Sequence, residues 1–265
     1  NSVKTSTELD ALKKSQQAVE YAKININKNI EICERAAFSI LSTRDFIDFV
    51  GAQEPLVYDD LLHYKKITLP FIENVLNVNP VIYKIRFYLD NSNFHDEIWP
   101  FIYSEKRLED SGLREKIINH ANNVYWELSY TEVPTSKGHT DLKEVVSYFV
   151  KVSYPAKRYL GILEVNMTVD DFFSDMYGSM EDGSTFISLI SSSGEFVGNK
   201  ESLFLKNTGL SVTELKNKLV SNTTDEQGNF TIDLNGRSML GVYTYIKGLD
   251  SYIYQVVSIE EIMQK

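Results

Sequence analysis

Between positions 5 and 50 the chain contains neither proline nor glycine, and Leu12, Val19, Ile26, Cys33 and Ile40 recur there at intervals of seven. Ala22, Ile30 and Ala37 widen the seam, so the pattern predicts one long helix with a continuous apolar stripe. At about 1.5 Å per residue, about 40 residues reach roughly 60 Å, more than the width of a small domain. Such a stripe needs more than one surface to cover it. Either the helix is a spine that runs past modules of its own chain, or part of it pairs with a second copy.

A second regularity is a repeated ending. Thr168-Val169-Asp170-Asp171-Phe172 closes one run of apolar strands, and Ser258-Ile259-Glu260-Glu261-Ile262 closes another ninety positions later. In each, a hydroxyl residue is followed three positions on by a carboxylate, the capping-box signature of a helix start. Two strand-to-helix exits imply two similar modules in series, an arrangement that suits a transmitter better than an enzyme.

Composition narrows the class. At 265 residues there is room for two domains with real cores, and 43% hydrophobic with 24% charged residues is ordinary for a globular protein. A net charge of -10 argues against a nucleic-acid partner, which calls for a basic face. A single cysteine, Cys33, excludes an intramolecular disulfide. No run of about 18 apolar residues exists to span a membrane. The start at Asn1, without a signal-peptide core, reads as an excised or processed segment.

Along the chain, 51–55 ends the spine and 58–78 reads as one or two helices broken near Pro70. Residues 81–89 alternate as a strand with 90–93 as its turn, and a helical segment runs over 104–123, interrupted near 110–112. Residues 144–154 and 159–167 read as a hairpin joined across 155–158, and 169–177 as a connecting helix. The second module reads as a strand over 185–190, a turn over 191–195, a second strand from Phe196, a helix over 212–220 capped by Ser211, and strands over 228–234, 237–245 and 252–258. Asn235-Gly236 is a type I′ hairpin signal. Strand, strand, helical middle and a three-strand antiparallel meander is the order of a PAS-like sheet. The predicted fold class is therefore α+β: a long N-terminal helix (1–55), then two PAS-like modules with antiparallel sheets in tandem (56–178 with the connecting helix, and 179–265 with the start of an exit helix).

With this architecture, the run VIYKIRFYLDN at 81–91, the run SLISSSGEFVG at 188–198 and the closing Ser258-Ile259-Glu260-Glu261-Ile262 make the chain resemble the double Cache extracellular sensors of bacterial transmembrane receptors, most of all those of YesM-type histidine kinases. The resemblance covers essentially the whole chain and is architectural. It implies an extracellular ligand-sensing domain of a membrane-bound two-component histidine kinase. A carbohydrate or other small metabolite would bind in the membrane-distal first module and shift helices across the membrane, with hydrophobic spans just before Asn1 and just after Lys265. It also implies a homodimer in the full-length receptor at the outer face of the bacterial membrane. Chemoreceptor or cyclase-type ectodomains share this architecture, and a secreted solute-binding lipoprotein is a further alternative. The amino-acid sensors of the family use a Tyr, Arg, Trp and Asp constellation whose spacing this chain does not reproduce.

Candidate ligand contacts lie in the first module, where fourteen aromatic residues fall between positions 81 and 160 against eight between 180 and 257. Aromatic faces with polar tips suit sugars and small amphipathic ligands, and they also simply build cores. In the strand at 81–90, Tyr83, Ile85, Phe87 and Leu89 form one face and Lys84, Arg86, Tyr88 and Asp90 the other. If the spine covers the apolar face, as the family architecture implies, Arg86 and Tyr88 turn toward the cavity. There Arg86 either grips a carboxylate or hydroxyl with its planar fork or pairs with an acid such as Glu164. Trp99 and the Tyr125-Trp126 pair fall in segments that cover the sheet in this family, and Tyr148 on a middle strand completes the set. Residues for catalysis are not evident: there is no phosphate loop, nucleophile elbow or His-Glu-x-x-His helix. His63, His95, His120 and His139 lack ligand-like spacing, so neither a metal nor a cofactor is expected. The carboxylate pairs Asp170-Asp171 and Glu260-Glu261 fit helix first turns.

Overall fold

The computed structural model describes residues 2–136, 141–154, 158–177 and 183–260. They form two compact units. The first module is Ile30–Phe172; the second combines the residues up to Asn29 with those from Phe173 onward. Helix α1 (Ser2–Leu41) contributes to both. Its stripe is buried as the spacing predicts, through Val19, Ala22 and Ile26 in the second module and Ile30, Cys33, Ala37 and Ile40 in the first. Leu12 is only half-buried; Ala11 and Ser15 take the buried places beside it.

The spine is interrupted where the sequence predicts continuity. It breaks at Ser42-Thr43, and α2 (Arg44–Val50) starts anew. Hydroxyls supply the cause: Ser39 Oγ donates to the Arg35 carbonyl at 2.9 Å and Thr43 Oγ1 to that of Ser39 at 3.0 Å, competing with the helical ladder. Next come α3 (Tyr58–His63), a π-helical turn (Tyr64–Thr68) and α4 (Leu69–Val78). The π turn lies just ahead of Pro70, whose ring and missing N–H disfavour a regular α ladder there. Tyr64, buried in that turn, donates to the Pro100 carbonyl at 2.7 Å.

The first module's sheet contains β1 (Lys84–Leu89), β2 (Ile102–Ser104), β3 (Val124–Thr131), β4 (Glu144–Ser153) and β5 (Tyr159–Thr168), in the order β2-β1-β5-β4-β3. Between β2 and β3 lie α5 (Lys106–Asp110) and α6 (Leu113–Asn119), separated at Ser111-Gly112 as predicted. Two strands correct the sequence reading. The predicted helical segment begins with β2 and ends before β3, which was not anticipated because a register shift between Glu127 and Tyr130 breaks its alternation. One sheet face packs on α5 and α6 through Tyr88, Phe149, Ile162, Leu108, Leu113 and Ile117. On the other, Phe87 meets Phe46 of α2 edge-on at 5.3 Å. Of the predicted hairpin turn at 155–158, residues 155–157 lie outside the described residues.

After β5, Thr168 Oγ1 accepts the N–H of Asp171 at 3.2 Å, so the first exit is capped as predicted. The connecting helix is two single turns, α7 (Val169–Phe172) and α8 (Ser174–Tyr177). The second module follows with β6 (Thr185–Ser191), β7 (Phe196–Gly198), α9 (Leu203–Thr208), α10 (Val212–Ser221), β8 (Gln227–Leu234), β9 (Arg237–Ile246) and β10 (Ser251–Ser258). The sheet order is β7-β6-β10-β9-β8, antiparallel throughout. Helix α9 adds to the elements that the sequence pattern predicts; Ser202 caps it and Gly209 ends it at φ 66°. Ser211 and Glu214 form the capping box of α10. Asn235 and Gly236 both take positive φ, 54° and 82°, as a type I′ turn requires. Ile259 and Glu260 are helical after β10, while Glu261 and Ile262 of that exit lie outside the described residues.

Candidate functional site

A buried polar cluster occupies the α5/α6 face of the first sheet. It forms because β1 and β5 carry polar residues in register, Arg86 opposite Glu164 and Lys84 opposite Asn166. Arg86 is 2% exposed and held on several sides. Nη1 donates to the Val133 carbonyl at 2.7 Å and contacts the Tyr88 hydroxyl at 3.5 Å, and Nη2 donates to Glu132 Oε2 at 3.1 Å. Its guanidinium carbon lies 5.3 Å from the Tyr103 ring centroid, and its Nε is buried without a partner. Glu132, just past β3, also accepts from Lys84 Nζ at 2.9 Å and from the Tyr83 hydroxyl at 3.0 Å. Glu164 gathers the hydroxyls of Tyr88 at 2.8 Å and Ser147 at 2.5 Å, that of Tyr130, and the Asn166 amide at 3.1 Å.

The charges follow from this geometry. Burial works to raise the Glu132 carboxyl, but hydrogen bonds from Lys84, the Lys143 N–H and Tyr83 outweigh it and hold the group below its ordinary range. Burial opposes the charge on Arg86; Tyr88 and Glu164 more than restore it. Burial and the adjacent Glu164 push the hydroxyls of Tyr88 and Tyr130 well up, so both stay protonated donors. Two cations, Lys84 and Arg86, thus stand against two acids, Glu132 and Glu164. A neutral cluster of this kind can exchange internal partners for a ligand that carries both acceptors and donors.

Tyr103 joins the cluster to the surface. Its ring also lines a groove of about 280 Å³ with Glu97, Ile98, Trp99, Pro100 and Thr135. The segment 90–101 that forms one wall is tied down by Arg107. Its Nε donates to Asp96 at 2.9 and 3.0 Å, Nη1 to the Pro134 carbonyl at 2.7 Å and Nη2 to Ser136 Oγ at 2.8 Å. Burial raises the Asp96 carboxyl, yet the hydrogen bonds from Arg107 and the Ser104 N–H win and hold it low. Glu97 and Phe101, flanking Trp99, adopt φ of 59° and 70°, uncommon for residues with side chains.

The six candidate residues do not form one constellation. Arg86 and Tyr88 belong to the cluster and Trp99 to the groove. Tyr125 shares the cluster's face but lies at its margin, donating to Glu127 at 2.5 Å with its ring 5.3 Å from that of His120. Trp126 and Tyr148 lie on the opposite face, with ring centroids 4.9 Å apart and Trp126 5.7 Å from Phe172. The Tyr148 hydroxyl is pushed up to about 12 by burial, then by Glu34 and Cys33 of α1. Tyr125 and Trp126 sit in strand β3, not in a covering segment, which corrects their expected position. Glu132, Tyr130, Ser147, Asn166 and Tyr103 were missed. A signal existed in the run YLGILEVNMT at 159–168, where a glutamate and an asparagine interrupt an apolar strand and buried charge demands partners. Among the described residues, no three His, Cys, Asp or Glu side chains gather as metal ligands, and no helix is long and apolar enough to cross a membrane. His139 lies outside the described residues.

No protein-family model matches the chain, and no curated protein matches it. Solved structures do. The ligand-binding domain of the Campylobacter jejuni chemoreceptor Tlp3, in complex with L-valine, aligns with a TM-score of 0.63 at 14% identity over 99% of this chain and 98% of that one. The extracellular domain of a candidate histidine kinase, soHK1S-Z6, gives 0.60 at 14% identity over 98% of each chain. The ligand-binding domain of the Pseudomonas aeruginosa PAO1 amino acid chemoreceptor PctC, in complex with GABA, gives 0.52 at 14% identity over 95% and 99%. At such identities the likeness shows the fold, the tandem PAS-like architecture of Cache-type ligand-binding domains.

Proposed function

We propose that this chain is the extracellular ligand-sensing domain of a bacterial membrane receptor, and that its ligand binds in the first module against the Arg86 cluster. One observation carries the reading. A buried guanidinium with an unpartnered Nε lies against Tyr103, a residue that also lines a groove, within a cluster of balanced charge. Strongly buried ionic groups are a poor route to stability, and their presence on the covered face of a PAS-like sheet is better accounted for by recognition. The ligand is a small polar metabolite, with its acceptor group toward Arg86 and its donors toward Glu132 and Glu164. Tlp3 and PctC were solved with L-valine and GABA, so amino acids and their relatives are the first class to try. Carbohydrates, which suit Trp99 and Tyr103, are the second.

The receptor is proposed to be a sensor histidine kinase of the YesM type, anchored by segments outside this chain and working as a homodimer that passes a helix shift across the membrane. A chemoreceptor output fits the same ectodomain. The fragment itself acts by binding, without catalysis.

A thermal-shift screen over amino acids, GABA, sugars and carboxylates tests the site. A ligand at a hundred times its Kd stabilises by about 2.7 kcal/mol, a rise of several degrees in Tm. Arg86→Ala should abolish the shift, and Tyr103→Ala, which leaves the ion pairs intact, should reduce it. No response to any compound, or an undiminished one in both variants, sinks the proposal.

A further inference from the structure

We infer that the second module carries a binding site of its own, on the α1 side of its sheet, for a small zwitterion. A groove of about 470 Å³ lies between α1 and strands β6 and β10, lined in part by Asp10, Lys14, Ser15, Thr185, Gln255 and Val257. A water takes about 30 Å³ of liquid volume, so this space fits a small metabolite. Gln255 lies on β10, the middle strand, opposite Ile187 of β6 and Val242 of β9. It is 8% exposed, and its Oε1 is buried with no hydrogen-bond partner. An aliphatic residue there would avoid the cost of an unsatisfied amide, so the glutamine is unexplained by packing. The facing helix contributes a second buried polar residue: Ser15, 4% exposed, stands in a stripe continued by Val19, Ala22 and Ile26.

The rim supplies the charge. Asp10 and Lys14 are exposed and one helical turn apart on the same face, a separation of about 5–6 Å between Cβ atoms. A zwitterion can set its ammonium against Asp10 and its carboxylate against Lys14. A hydroxyl or amide group of the ligand then meets the Gln255 carboxamide, which offers a donor edge or an acceptor edge by rotation. Such a ligand would tie α1 to the strand that runs directly into the helical Ile259-Glu260 exit. The site is independent of the Arg86 reading.

Amide hydrogen exchange by mass spectrometry tests it on the whole chain. The probe is saturating L-serine, with glycerol as a hydroxylated control without charge. L-serine should slow exchange several-fold in peptides covering 7–15 and 251–257, and glycerol should not. Lys14→Gln should weaken L-serine binding roughly tenfold, as expected for the loss of one charge-assisted hydrogen bond. Gln255→Met should remove the protection without lowering Tm, because methionine fills similar volume and needs no partner. Slowing that is absent, confined to first-module peptides, equal with glycerol, or unchanged in both variants overturns the proposal. Lys14 is exposed, so its variant carries the test even if Gln255→Met fails to fold.

Discussion

The two sheets share one strand order and differ at one edge. In the first module β2 lies parallel to β1, so the chain crosses over through residues 90–101 before pairing. In the second, β7 is antiparallel to β6 and returns through residues 192–195. A parallel neighbour demands a long connection and a hairpin does not. The first module uses its longer connection to carry Glu97 and Trp99 to the groove. The sheet interiors differ in the same sense. Arg86 faces Glu164 across β1 and β5, whereas Ser188 faces Tyr254 across β6 and β10. One PAS-like scaffold thus holds a buried charged cluster in one copy and a hydroxyl and aromatic interior in the other. The difference lies in side chains and in one connection, with the strand order unchanged.

The sharpest test removes one partner from each interior. Glu132→Ala leaves Arg86 buried beside an empty place and should cost about 3–5 kcal/mol. Ser188→Ala deletes a buried Oγ that has no partner and should change stability by about 0.5 kcal/mol or less. Urea unfolding measures both, and tryptophan fluorescence follows the first module, which holds Trp99 and Trp126. Equal costs would erase the contrast. A smaller effect separates the glycines. A Cβ on Gly161 would meet the Tyr88 carbonyl oxygen at 2.1 Å, so Gly161→Ala should cost about 1–3 kcal/mol from overpacking. At Gly194, in the 192–195 turn, a Cβ would meet only Lys216 Nζ in ordinary contact at 3.8 Å, but φ is 85°, so its alanine variant should cost about 1 kcal/mol from backbone strain.

Smallest is the contrast between two loop aspartates. Asp96 is held low against burial by Arg107 and the Ser104 N–H; Asp250 is held low by the hydroxyls of Ser192 and Tyr245 against weaker burial. A depressed carboxyl contributes stability above its unfolded value, and that contribution is lost as pH falls through the folded one. Both loops should therefore loosen only below roughly pH 4. Added salt separates them, because it screens the half-exposed Asp96–Arg107 pair and leaves the neutral hydroxyl donors of Asp250 unaffected. Exchange rates of peptides 90–101 and 247–251 at low and high salt check this. Equal salt dependence would mean that charge is not what latches the first loop.

Much of the fold was legible because its signals are local. The stripe of α1, the Asn235-Gly236 turn and the Ser211 cap each announce themselves within a few residues. What was missed depends on pairing at a distance. The three-residue strand β2 gains its identity only from Phe87–Leu89 alongside it, and β3 hides behind its bulge. The site followed the same division. Alternation within one strand puts Arg86 and Tyr88 together, but the acid that pairs with Arg86 is Glu132 and not the expected Glu164, which lies opposite Arg86 in register and takes the Tyr88, Tyr130 and Ser147 hydroxyls instead. Trp126 and Tyr148 lie on the face opposite Arg86, which the sequence alone does not show, because the face a residue occupies on β3 or β4 depends on register with strands far along the chain. Glu132 lies beyond the end of β3 and reaches Arg86 only through the tertiary fold.

Cys33 gives this architecture a native reporter. It is the sole cysteine, sealed against the first sheet, with its thiol pushed up to about 12 by burial and then by Glu34. Only the thiolate attacks, so a sealed Cys33 is chemically silent at neutral pH and becomes reactive when α1 lifts from the sheet. The rate at which a thiol reagent modifies the unaltered chain then counts helix detachments directly. Any compound that tightens or loosens the grip of α1 on that sheet will register as a change in that count, with no label introduced.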